Sequence, residues 1–271
     1  MTHSDPDPSV HVPDGPVPSS DGGQRLLDLV KVMARLRGPG GCPWDREQTH
    51  QTLARHLLEE THELLEAIDA GSSDAIRDEL GDLLLQVVFH AQMAADDGRW
   101  DVDDVARRLV EKLIHRHPHV FGEVEVSGAD EVLTNWEKLK AEEAGPRPTA
   151  LDDIPATLPA LARAGKVQRR AAGWGVEVGG TGPAIEALRH EVQDLADGAG
   201  DAERAIGDVL FAVVTVARAL GVDAESALRR TTRDFSERYE RFVALAVERG
   251  MDPAAMPEKE IRNLFRSARD A

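Results

Sequence analysis

Residues 48–70 read QTHQTLARHLLEETHELLEAIDA, and residues 74–97 read DAIRDELGDLLLQVVFHAQMAADD. In both, apolar side chains return every three or four positions, the period of a helix that buries one face. Between them Gly71-Ser72-Ser73 supplies a glycine stop and then residues suited to cap a new helix. Two helices joined by so short a turn run antiparallel. With about 100° of turn per residue, the first helix aligns Leu53, Leu57, Thr61, Leu64 and Ile68 as its expected core stripe. The second aligns Ile76, Leu80, Leu83, Leu84, Val87 and Ala91. Glu60 falls inside the edge of the first stripe and Glu63 flanks it, while His62 and Glu66 point away. Glu79 flanks the second stripe, and Asp82 adjoins a run to Phe89 that is apolar nearly all round.

Carboxylates three residues apart share one side of a helix. Glu59-Glu60-x-x-Glu63 and Glu79-x-x-Asp82 on neighbouring antiparallel helices can therefore converge. A cluster of carboxylate oxygens suits a hard cation such as Mg²⁺ or Mn²⁺. Acidic residues on helices usually just face water. Here the hydrocarbon expected around Asp82 makes an uncompensated charge costly and favours a bound cation.

Outward from this pair the same reading continues. Leu26, Leu27, Val30, Met33 and Leu36 mark an earlier helix, and residues 37–45, with Gly38-Pro39-Gly40-Gly41 and Cys42-Pro43-Trp44-Asp45, form an irregular turn. A helix over residues 102–117 ends at Pro118, a loop spans residues 121–128, and a further helix crosses residues 130–144. Residues 1–22, rich in Pro, Asp, Ser and Gly, read as a disordered tail. Prolines 146, 148, 155 and 159 mark a linker over residues 146–160. It separates a first domain, residues 23–145, from a second, residues 161–271. The second half repeats the first: Gly81-Asp82-Leu83-Leu84 returns as Gly207-Asp208-Val209-Leu210, and Glu60-Thr61-His62-Glu63 as Glu191-Val192-Gln193-Asp194. The expected fold is all-α, two tandem helical-bundle domains of four or five helices each. Helices so few do not cover the carboxylate layer alone, so a homodimer is expected.

The formal charge of −17 argues against nucleic acid or an anionic membrane as partner. A phosphorylated small molecule stays open, because bound cations and local Lys or Arg reverse the field at a site. A single cysteine, Cys42, excludes an intrachain disulfide and fits a reducing compartment. No apolar run reaches the ~18–20 residues of a membrane span, and no secretory signal pattern opens the sequence, so a cytoplasmic protein is expected.

Together, Gly41-Cys42-Pro43-Trp44-Asp45, the EExxE and ExxD motifs, and His115-Arg116-His117-Pro118-His119-Val120-Phe121 resemble the N-terminal domain of MazG proteins. The likeness extends through Asn135-Trp136-Glu137-x-x-Lys140 and Leu151-Asp152-Asp153-Ile154-Pro155 into the second half. The resemblance implies hydrolysis of nucleoside and deoxynucleoside triphosphates to the monophosphate and pyrophosphate, a role in cleaning the nucleotide pool. It implies Glu60, Glu63, Glu79 and Asp82 as Mg²⁺ ligands and Lys112 and Arg116 as the phosphate-binding pair. Trp136 and Lys140 match positions near the nucleotide, with Trp136 a candidate to stack on the base. Glu59, beside the ligands, is the candidate base or water-orienting residue. Lys112 and Arg116 alone would equally suit the negative end of their helix dipole. Trp44 fits either a base-stacking or a turn-anchoring role, and the histidines around Pro118 read as loop and cap residues.

The second half departs from this pattern. Ala205 stands where Glu79 stands in the first half, His190 replaces Glu59, and Asp234 replaces Lys112. Glu191, Asp194 and Asp208 retain three of four ligand positions, so the expected site is the N-terminal one. Two other readings compete: a non-catalytic dimerisation scaffold with solvated carboxylates, and a di-iron bundle. The latter needs two Glu-x-x-His motifs, and only Glu59-x-x-His62 is present on this helix pair.

Overall fold

The computed structural model describes residues 23–129, 131, 132, 135, 136, 139, 143, 151, 154–176, 179–198 and 200–269. The expected tail at 1–22, Lys140 and most of residues 146–153 lie outside them. Among the described residues the regular structure is helical, and no strand is formed. The chain divides into two compact units, Met1–Pro146 and Arg147–Ala271.

In the first unit, α1 (Gln24–Arg37) leads through a tight loop to the short α2 (Pro43–Glu47). The two long helices follow, α3 (His50–Ala70) and α4 (Ser73–Asp96), then α5 (Val102–Arg116) and the single turn α6 (Pro118–Phe121). The sequence explains each boundary. Thr49 accepts from the Thr52 amide, and the Thr52 hydroxyl reciprocates at the Thr49 amide, a capping box that opens α3. Gly71, at φ 68°, takes the left-handed conformation that closes it. Ser72 accepts from the Ala75 amide to open α4, and Asp101 accepts from the Asp103 and Asp104 amides to open α5. The segment expected to be irregular up to Asp45 instead winds into α2, with Pro43 at a first-turn position where its missing N–H costs nothing.

The α3–α4 hairpin is the frame of this unit. Its core gathers Met33 of α1, Leu53 of α3, and Val88, Phe89 and Met93 of α4. The buried face of α3 is turned from the expected stripe. Leu53 and Ala67 are buried, but Leu57 and Ile68 remain exposed, as do Leu80, Leu84 and Val87 on α4. The rotation is roughly 60°, and it moves Glu60 from the stripe's edge to the middle of the face between the helices. On α4 the buried line Gln86, Phe89, Met93 continues backward, at helical spacing, to Asp82 and Glu79. The hairpin interface is therefore apolar at one end and acidic at the other.

The loop before α3 is clamped. Arg37, only 10% exposed, donates through Nε to Asp96 at 2.7 Å. Its Nη1 donates to the Asp45 carbonyl, and Phe89 lies under the guanidinium. The Cys42 amide donates to the Leu36 carbonyl at 2.7 Å. Gly41 sits so close to α1 that an added Cβ would lie 2.1 Å from the Leu36 oxygen.

The second unit comprises α7 (Ala160–Ala172), α8 (Thr181–Ala196), α9 (Ala202–Ala219), α10 (Ala224–Glu248), a 3₁₀ turn (Pro253–Ala255) and α11 (Glu258–Ser267). Phe242, Ala246, Leu264 and Ala268 make one core cluster. Gln168, buried on α7, donates to the Phe211 carbonyl at 2.9 Å. Among the described residues of the chain, no single helix is long and apolar enough to cross a membrane.

Candidate metal centre

The two-residue step from α3 into α4 sets the register of the hairpin. His50 meets His90 at one end, and Glu60 meets Asp82 and Glu79 nearer the turn. Glu60, Glu79 and Asp82 each offer a carboxylate oxygen within 4.8 Å of the others. Glu63 completes the group: it shares a hydrogen bond with Glu60 and its charge acts on Glu79. Burial holds the Glu60 carboxyl above its ordinary range, reinforced by the charges of Asp82, Glu63 and Glu79 and then by that hydrogen bond. Glu79 is raised in the same sense by burial, then by Glu63, Asp82 and Asp78. Like charges crowded together disfavour ionisation, and a divalent cation among them would remove that penalty. All donors are carboxylate oxygens, the set a hard cation prefers. The residues present therefore fit the group that the sequence suggests.

Asp82 differs from its sequence-based expectation. It is exposed, because Leu80 and Leu84 beside it are themselves exposed rather than packed. The argument for a cation thus rests on convergence and mutual repulsion, not on hydrocarbon around Asp82. Glu59 turns aside from the four: its side chain is 61% exposed and its Oε2 lies 3.1 Å from Nδ1 of His56. His62, which a di-iron motif would direct inward, is exposed.

Arg116, at the end of α5, is only 12% exposed and already has partners. Its Nε donates to both Glu143 oxygens at 3.1 Å, an Nη donates to the same carboxylate, and its guanidinium lies 5.3 Å over the Trp136 ring. The Arg116 hydrogen bonds hold the Glu143 carboxyl below its ordinary range, helped by the charges of Arg116, His115 and Lys112. Lys112 thus faces the same carboxylate as Arg116. Lys140 lies outside the described residues. Glu143 was not singled out from sequence, because its partner is 27 positions away and no local spacing links them.

In the second unit His190 approaches Asp194 at 3.7 Å and Arg204 approaches Asp208 at 3.7 Å. Two of the three retained acidic positions are therefore each beside a basic side chain. Arg238 lies 4.1 Å over the Phe265 ring, an echo of Arg116 over Trp136 in the first unit.

Known proteins place these features in a lineage. A family model described as the MazG nucleotide pyrophosphohydrolase domain matches residues 48–121, from the start of the hairpin to α6. The nucleoside triphosphate pyrophosphohydrolase of Escherichia coli (strain K12) is 43% identical over 234 residues, covering 83% of this chain and 89% of that protein. The nucleoside triphosphate pyrophosphohydrolase/pyrophosphatase MazG of Thermotoga maritima is 39% identical over 245 residues, 89% of this chain and 94% of that protein. A nucleoside triphosphate pyrophosphohydrolase of Mycobacterium tuberculosis is 41% identical over 234 residues, 84% of this chain and 62% of that protein. With two relatives matched over nearly their full lengths and the carboxylate hairpin inside the matched domain, the chain belongs to the MazG family of nucleotide pyrophosphohydrolases.

Proposed function

We propose that this chain hydrolyses nucleoside and deoxynucleoside triphosphates to the monophosphate and pyrophosphate, with Mg²⁺ held by Glu60, Glu63, Glu79 and Asp82. The observation that carries the reading is the convergence of carboxylates from α3 and α4, three of them within 4.8 Å. When bound there, Mg²⁺, or Mn²⁺ in its place, would supply positive charge that polarises phosphoryl oxygens of the triphosphate. The chain's own residues do the positioning. Lys112 and Arg116, four apart on α5, bring cationic donors to the phosphates. Arg116 reaches them by exchanging the Glu143 carboxylate for a phosphate, so Glu143 orders the guanidinium before substrate arrives. Glu59, next to Glu60, acts through His56, whose ring it orients and which stands one turn before Glu60. Trp136 and Lys140 complete the nucleotide's surroundings.

Turnover belongs to the first unit in this reading. In the second, Ala205 removes one ligand, and Arg204 and His190 put basic groups beside Asp208 and Asp194. That unit then serves packing and assembly. A homodimer is part of the proposal. Leu57, Ile68, Leu80, Leu84 and Val87 are exposed on the hairpin, and Leu109 and Leu113 on α5, apolar surface of the kind that marks an interface. A second copy would cover such a surface by two-fold symmetry. The reading places the enzyme in the cytoplasm, where Cys42 stays reduced.

Incubating the full chain with a panel of NTPs and dNTPs in Mg²⁺, and separating the products, tests the reaction. Monophosphate and pyrophosphate are expected in equal amounts. Diphosphate and orthophosphate would place cleavage at the wrong bond.

A further inference from the structure

Trp44 is held in a way that packing does not explain. The loop carrying it is fixed by Arg37, which donates to the carbonyls of Asp45 and Gln48, and by the Cys42 amide on Leu36. Gln48 donates through Nε2 to the Trp44 carbonyl at 3.0 Å, and Gly41 leaves no room for a side chain against α1. An indole that anchored this turn would be buried. Trp44 instead remains 53% exposed on a clamped backbone.

Its ring neighbour is informative. The Trp44 indole meets the His56 imidazole edge-on, with centroids 6.2 Å apart and planes at 71°. His56 is fixed in turn: Nδ1 lies 3.1 Å from the Glu59 carboxylate, and Arg55 Nε donates to Nε2 at 3.3 Å. His56, Glu60 and Glu63 follow one another at i, i+4 and i+7, a single line on α3. Along the helix axis His56 stands four residues, about 6 Å of rise, before Glu60, the first carboxylate of the metal centre. The other tryptophans of this unit have cations over them, Arg116 on Trp136 and Arg99 on Trp100. Trp44 pairs with an imidazole and keeps half its surface open.

We infer that Trp44, braced by His56, is the platform on which the nucleobase stacks while the triphosphate occupies the carboxylate hairpin. The inference rests on the pyrophosphohydrolase reading and extends it to how the base is held. A rigid, half-exposed indole loses little freedom on binding, and every base offers it a π face. Stacking of this kind tolerates different bases, so the platform favours a broad range of NTPs and dNTPs, with purines bound more tightly than pyrimidines.

The test uses the full chain in Mg²⁺, comparing wild type, Trp44→Ala and Trp44→Phe on dATP, dCTP and ribose 5-triphosphate, the last carrying no base. Thermal melts establish that each variant is folded. Trp44→Ala should raise KM for dATP about ten-fold, the scale of one lost base–aromatic stack, with less effect on dCTP and little change in kcat. Trp44→Phe should recover most of the loss. All three proteins should treat ribose 5-triphosphate alike. An equal loss on the base-free substrate would make Trp44 a purely structural residue and overturn the inference. So would an unchanged KM for dATP in Trp44→Ala. A wild-type chain that forms no pyrophosphate from any of the three would overturn the parent reading, and the platform with it.

Discussion

Four carboxylates gathered without a cation should make the metal-free protein less stable than it could be, and replacing Asp82 with Asn exposes this directly. Glu60 and Asp82 present oxygens within 4.8 Å of each other. Two unit charges at that separation repel by about 1 kcal/mol in water and ~3.5 kcal/mol at an effective dielectric near 20. Asp82 is exposed, so screening favours the lower figure. Asp82→Asn should therefore raise the stability of the metal-free unit by about 1 kcal/mol, or about 3–5 °C in melting temperature. Mg²⁺ separates the two proteins by how much it stabilises each. It binds the folded cluster and not the dispersed carboxylates of the unfolded chain, so ~100 Kd of it adds about 2.7 kcal/mol to the wild type. Asp82→Asn should lose most of that increment. Scanning calorimetry with and without Mg²⁺ reads both effects on the transition that responds to metal. A metal-free Asp82→Asn that melts clearly below wild type would mean that the carboxylate has native donors and serves structure first. A wild-type transition that ignores Mg²⁺ would remove the folded-state site altogether.

Three further outcomes follow from particular contacts. His50 and His90 stack with their Nδ1 atoms 2.7 Å apart, and Arg99 lies at 3.2 Å from His50 Nε2. Burial, then the His50 charge, pushes His90 below its ordinary value of 6.5. The unfolded chain thus takes up a proton that the folded one resists, so stability is full above about pH 6.5 and falls as pH drops below it. Urea midpoints at about pH 7.5 and pH 5.5 should show that fall, and His90→Phe should reduce it. Arg37→Ala removes charged hydrogen bonds to Asp96 and the Asp45 carbonyl and should cost about 2–4 kcal/mol, with faster amide exchange confined to residues 38–48; an unperturbed loop would mean that Gly41 and Cys42 hold it alone. Glu143→Gln weakens the carboxylate that competes with phosphate for Arg116, so KM for triphosphates should fall; a rise in KM would show that orienting Arg116 matters more than releasing it.

The helices of the hairpin were legible from sequence, because their caps are local. Thr49 with Thr52, Gly71, and Ser72 with Ala75 each act within a few residues. The convergence of the carboxylates was legible too, since spacing on a helix and an antiparallel turn suffice to bring them together. The rotation of α3 was not. Leu53, Leu57, Leu64 and Ile68 look alike in a periodic pattern, and only the packing of Met33 and Phe89 selects Leu53 over Leu57. The same ambiguity led the sequence to surround Asp82 with hydrocarbon that in fact lies exposed. Long-range partners were invisible for a different reason. Arg116 with Glu143, and Arg37 with Asp96, join residues 27 and 59 positions apart, and no period links them. His56 had a usable signal, its place one turn before Glu60, but only the clamped Trp44 beside it gives that place a meaning.

The most direct measurement of the central claim is kcat for dNTP hydrolysis, with pyrophosphate as the product detected, in full-length Asp82→Ala and Asp208→Ala at saturating Mg²⁺. These residues hold corresponding positions in the two halves, and each side chain is exposed in its own unit. If the α3–α4 hairpin carries the reaction, Asp82→Ala loses at least about 100-fold, the scale on which removing one group that stabilises transition-state charge acts, while Asp208→Ala keeps most of its activity. The reverse pattern would move catalysis to the second unit and contradict the account.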